Sequence, residues 1–141
     1  MAEGNQVKWR GIRPVYPVEN IQTHPGIFET TVAGITRTHI AKSVEIDNTT
    51  EVIHTVTAGK TFYLCGFAMS ADSGVDKITC LEVRNAADVV QYCLGHLVTA
   101  ALAVMQSSLA IIPPIPIAAG FDIALRTTNS DAHAFIHGWE Q

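Results

Sequence analysis

From Ile27 onward turn-forming clusters break the chain into short runs, and this punctuation limits its fold more than any other feature. The clusters are Gly34, Asp47 with Asn48, Gly59, Asp72 to Gly74, Asn85 to Ala87, Pro113 to Pro116, and Asn129 to Asp131. Between them lie runs rich in Val, Ile, Thr, Phe and Tyr, whose branched or flat side chains suit a pleated, half-buried surface. The spacing predicts strands near residues 27–33, 36–46, 51–57, 61–70, 77–84, 89–98, 101–112, 121–128 and 132–139. Many short strands with such breaks bury their apolar faces as an antiparallel sandwich or barrel.

One segment carries a competing signal. Val89, Val90, Cys93, Leu94, Leu97, Val98, Ala101, Leu102 and Met105 recur in pairs every four residues, which is helical spacing. Gly95, Thr99 and the β-branched Val89, Val90, Val98 and Val104 oppose a helix. Strand is the favoured reading of 89–105, with helix as the alternative.

A short internal repeat supports the β reading. "VTAGKTFYL" (56–64) and "IAAGFDIAL" (117–125) each place an apolar residue before Ala-Gly, then apolar residues three and five places after the glycine. Gly59 and Gly120 can supply a positive φ at a tight turn, after which Phe62 with Leu64, and Ile123 with Leu125, point to one face of the outgoing strand. Matching strand openings in the two halves of the chain suit a double-sheet jelly roll.

Residues 1–26 have a different texture. Pro14, Pro17 and the His24, Pro25, Gly26 sequence deny them a regular ladder, so they are expected to form an extended arm ahead of a sandwich domain over 27–141. Trp9, Tyr16 and the apolar Val7, Ile12, Val15, Val18 and Ile21 are costly to leave in water, which predicts that the arm lies on another surface.

The net charge is −4, unevenly placed: residues 1–26 carry a balance of +1, leaving −5 on residues 27–141. An acidic domain repels a phosphate backbone, so nucleic acid is not an expected direct partner. Apolar residues make up 48% of the chain and charged ones 16%, an apolar surplus suited to a subunit interface. Cys65, Cys80 and Cys93 are odd in number, lack a C-x-x-C spacing and sit in apolar runs, which predicts buried, reduced thiols. No secretory signal opens the chain, and prolines interrupt its longest apolar stretch; a soluble protein folded in a cytoplasm is expected, without a membrane partner.

Catalytic and metal motifs are sparse. His133 and His137 flank Phe135, but on a strand they lie about 13 Å apart, too far for one ion. His39, His54 and His96 read as sheet histidines. "AGKTFYL" lacks the first glycine of a phosphate-binding loop, and Asp72 with Asp76 is too thin a set of oxygen ligands for calcium. No cofactor, metal ligand set or catalytic residue is therefore assigned.

"TVTAGKTFYLCGF" (55–67), "PPIPIAAGFDIALRT" (113–127) and the closing "AHAFIHGWEQ" (132–141) together resemble the pattern of small jelly-roll structural proteins of tailed bacteriophages. The resemblance covers roughly residues 50–141. It implies a non-enzymatic virion component, often trimeric, that is assembled in the host cytoplasm and serves as a capsid decoration or cement protein. Its partners would be further copies of itself and the major capsid protein or another virion protein. The alternative placement is an adaptor or attachment domain at the tail, neck or head fibre, touching its target through loops near 71–76 and 129–131. A cupin-like metalloenzyme or a sugar-binding sandwich ranks lower. In the decoration reading Trp9 and Tyr16 anchor the arm, and Arg10 and Arg13 meet carboxylates on the partner.

Overall fold

The computed structural model of the chain describes residues 21–24, 27–72, 77–99, 105–128 and 131–141. Ten strands follow one another: β1 (Ile21–His24), β2 (Ile27–Val32), β3 (Ile35–Asp47), β4 (Thr50–Thr55), β5 (Phe62–Ala71), β6 (Lys77–Arg84), β7 (Val90–Thr99), β8 (Met105–Ile117), β9 (Asp122–Thr127) and β10 (Asp131–Glu140). They form two antiparallel sheets, one of six strands in the order β1-β2-β3-β10-β5-β8 and one of four in the order β4-β9-β6-β7. The described residues are thus all-β, as the sequence predicts.

Two departures from the sequence reading have physical causes. The ladder begins at Ile21, inside the stretch read as arm, because β1 pairs antiparallel with β2 from Ile21↔Thr30 to His24↔Ile27. The second departure is that Pro113, Pro114 and Pro116 do not break a strand but lie within β8. β8 is the last strand of its sheet, and its pairing with β5 jumps from Leu64↔Ile115 to Gly66↔Ala110. Prolines are tolerated on an edge strand and at such an irregularity, where the ladder does not call on the N–H they lack.

Within residues 89–105 the favoured strand reading holds for Val90–Thr99. Its pairing with β6 carries two irregularities. Leu81 pairs with Gly95 but Glu82 with Cys93, and Val83 pairs with Tyr92 but Arg84 with Val90, so Leu94 and Gln91 are extra residues. Each bulge shifts the alternation by one. Core-side positions therefore fall at Leu97, Gly95 and Tyr92, opposite Thr79, Leu81 and Val83, a spacing of two and then three in place of strict alternation.

The repeat behaves as expected. Lys60 N donates to Thr57 O and Phe121 N to Ala118 O, closing two equivalent turns with Gly59 (φ 76°) and Gly120 (φ 73°) at the third position. The turns also bind each other, since Val56 N donates to Phe121 O and Gly120 N to Val56 O, both at 2.9 Å. Phe62, Leu64, Ile123 and Leu125, which follow these turns, are completely buried. They join Ile136 and Ile117 of the large sheet and Leu81 and Val83 of the small one in a single core between the sheets. Full burial of each such side chain is worth about 1.5–3 kcal/mol.

Candidate interaction surface

The outward side chains of β10 form a spine along the exposed face of the six-stranded sheet. Strand alternation buries Ala132, Ala134 and Ile136 and turns His133, Phe135 and His137 to the outside, with Trp139 partly covered beside them. Phe135 stacks with His137 at 6.0 Å, and Trp139 with Tyr63 of β5 at 5.5 Å. The Arg37 guanidinium sits 5.1 Å over the Trp139 ring while its Nε donates to Gln141 Oε1. Partial burial, and then Arg37, lower the pKa of the neighbouring His39. The strands beside the spine carry small residues, which leaves a polar hollow of about 570 Å³ lined by Ser43, Glu45, Ser70, Ser108, His133 and Phe135. His133 and His137 thus share an outer face with Phe135 between them, as the strand reading requires.

A second polar group lies between the sheets. Lys42 Nζ approaches His54 Nδ1 at 3.2 Å, and His54 Nε2 approaches Glu140 Oε1 at 2.9 Å, with the His54 and Glu140 side chains 5% and 4% exposed. The lysine can only donate, so Nδ1 accepts and the imidazole is neutral with its proton on Nε2, donated to the carboxylate. Thr57 N also donates to Glu140 Oε1 at 2.9 Å. Both imidazole nitrogens are engaged, leaving neither free to take a substrate proton. The arrangement is a tie between sheets, completed by the edge-on contact of His54 with Phe62.

On the far side of the four-stranded sheet, the buried Glu82 carboxylate accepts from Arg126 Nε at 2.7 Å and from Arg84 Nη2 at 2.8 Å. Arg84 continues to Asp88. Each carboxylate oxygen has its own guanidinium, so this network is satisfied internally.

One side of the sandwich is bounded by β7 and β8, the last described strands of the small and the large sheet. Tyr92 opposes the buried Val83 and Leu109 opposes the buried Phe67, which places both on core-facing positions. Nevertheless they are 40% and 53% exposed, and Ile112 beyond Leu109 is 92% exposed. β7, Val-Gln-Tyr-Cys-Leu-Gly-His-Leu-Val-Thr, contains no Lys, Arg, Asp, Glu or Pro. Edge strands without charge or proline can pair with another chain. Here the edge is relieved only by its two bulges.

The sequence-derived partner residues Trp9, Arg10, Arg13 and Tyr16 lie outside the described residues, as do most of the loops near 71–76 and 129–131. The cysteines depart from expectation: Cys80 is buried and Cys65 half-buried, but Cys93 is exposed. The bulges turn its side chain to the outer face of an edge strand. Tyr92 and Leu109 escaped sequence reading because apolar residues on strands look the same whether or not a second sheet covers them. Among the described residues, no group of three or more His, Cys, Asp or Glu side chains is placed to hold a metal ion, and no helix is long and apolar enough to cross a membrane.

Compared with known protein families, curated proteins and solved structures, the chain matches none.

Proposed function

We propose that this protein is a virion structural component, a capsid decoration or cement protein of the tailed-phage kind. It forms a symmetric oligomer, a trimer in the simplest case, and binds the assembled shell. The observation that carries this reading is the β7–β8 edge, where Tyr92 and Leu109 occupy core-facing positions yet stay 40% and 53% exposed. An apolar surface of this kind marks a protein interface. A second copy supplies the missing cover, and closed symmetry limits the assembly to a defined oligomer.

The strand pairing supports a jelly-roll reading of the sandwich. β3 pairs with β10, β4 with β9, β5 with β8 and β6 with β7, a nested set that corresponds to one long hairpin wound into two sheets. Jelly rolls of eight strands serve in viral capsids as well as in lectins and cupins. The lectin-like alternative is disfavoured by Trp139, whose ring is already engaged by Tyr63 and Arg37.

In this proposal residues 1–20 form the attachment strap, with Trp9 and Tyr16 as anchors and Arg10 and Arg13 facing carboxylates of the shell. Binding the assembled lattice and not its loose subunits stabilises the particle by mass action. The test is occupancy on purified particles of the virus that carries the gene, for the full chain and for Trp9→Ala. Hundreds of copies per particle, falling with Trp9→Ala while the β-domain stays folded, are expected. A handful of copies would move the protein to the tail or neck, and no particle binding would overturn the reading.

A further inference from the structure

We propose that Cys80 and Cys93 form a reversible intramolecular disulfide that locks edge strand β7 to β6. The two residues share one face. Leu81 and Val83 point into the core, so Cys80 and Glu82 between and beside them point outward, and Cys93 is the register partner of Glu82. The Leu94 bulge keeps Cys93 on that face despite its odd spacing from His96, the partner of Cys80. The Cys93 thiol lies near enough to Cys80 to help hold its pKa up.

Their surroundings divide the labour. Cys93 is exposed, with its thiol donating to Gly95 O at 3.0 Å, and is the sulfur an oxidant meets first. Cys80 is 7% exposed, and burial, reinforced by the Cys93 thiol, pushes its pKa up to about 11. It is therefore a poor first nucleophile. Arg126 Nη2 lies 3.5 Å from Cys80 Sγ, where it can stabilise the thiolate as this forms.

The oxidant is a small-molecule disulfide such as oxidised glutathione. Cys93 gives its proton to solvent, its thiolate attacks one glutathione sulfur, and the glutathione S–S bond breaks to release one thiol. The Cys80 thiolate, its proton also passed to solvent, then attacks the Cys93 sulfur of the mixed disulfide and expels the second glutathione thiol. Two protein thiols are oxidised and one external disulfide is reduced to two thiols.

The full chain incubated with oxidised glutathione tests this by intact mass and tryptic mapping. Trypsin separates the two cysteines after Arg84, so a linked pair of peptides identifies the bond. Expected are a product lighter by two hydrogens, a fall from three free thiols to one, and reversal by dithiothreitol. Cys80→Ser should stop at a glutathione adduct on Cys93, and Cys93→Ser should keep both remaining thiols. A stable glutathione adduct on wild-type Cys93, three surviving thiols, or a bond to Cys65 or to another chain would each overturn the proposal; the wild-type reaction alone decides it if a variant fails to fold.

Discussion

His54 Nε2 donates to Glu140 Oε1 across 2.9 Å, joining β4 of the small sheet to the last strand of the large one. Because the carboxylate is buried, losing the imidazole exposes an imbalance that packing cannot repair. His54→Ala should cost about 3 kcal/mol, the scale of a buried charged group left short of a partner. Glu140→Gln can keep an acceptor oxygen facing His54 and Thr57, and should cost about 1 kcal/mol. Urea denaturation with an unchanged slope would register both as lower midpoints; equal losses for the two variants would contradict the roles given to these atoms.

The same pair sets a pH dependence. Burial, and next Lys42, lower the His54 pKa from 6.5 despite the opposing effect of Glu140. Burial raises the Glu140 carboxyl, but hydrogen bonds from Thr57 and His54 outweigh it and leave the group below 4.5. The folded state thus prefers the neutral imidazole and the ionised carboxylate, and the unfolded chain takes up protons more readily at both. Stability from the histidine should be complete above 6.5 and fall as pH drops through and below that value, with the carboxylate adding a second loss below 4.5. Unfolding midpoints between pH 8 and 3 check this: His54→Gln should shrink the upper limb, to which His39 also contributes, and spare the lower one.

Gly138 lies at the register shift between β10 and β5. A Cβ there would collide with the Tyr63 carbonyl and come 2.7 Å from the Phe62 ring, so the backbone itself must move. Gly138→Ala should destabilise by about 3 kcal/mol, at the upper end of overpacking effects. Gly59 offers the contrast: an added methyl meets nothing within 4 Å, but φ is +76°. Gly59→Ala should cost about 1 kcal/mol, from backbone strain alone. Reversal of that order in thermal or urea unfolding would count against the close approach at Gly138.

The parts of this fold legible in the sequence are those governed by local chemistry. Gly59 and Gly120 mark positive-φ turns, and Phe62, Leu64, Ile123 and Leu125 follow them into the core by simple alternation. Reading failed where long-range pairing decides. Leu94 and Gln91 become bulges only because β6 lies alongside, and Pro113 is admissible because β8 is the last described strand of its sheet. The His54–Glu140 tie joins residues 86 apart in sequence, with no motif to announce it. The exposure of Tyr92 and Leu109 depends likewise on where the two sheets end.

Assembly through the β7 and β8 edge is tested most directly by the native mass of the full chain in solution, measured by light scattering across a concentration series. The edge should produce a discrete oligomer, a small multiple of 15.2 kDa, most simply three copies. Paired substitutions Tyr92→Asp and Leu109→Asp should return it to the single-chain mass while retaining a β-rich circular dichroism spectrum. A wild-type protein that remains at the single-chain mass throughout the series, or an oligomer untouched by the paired substitutions, would contradict the assignment of this edge as the assembly face.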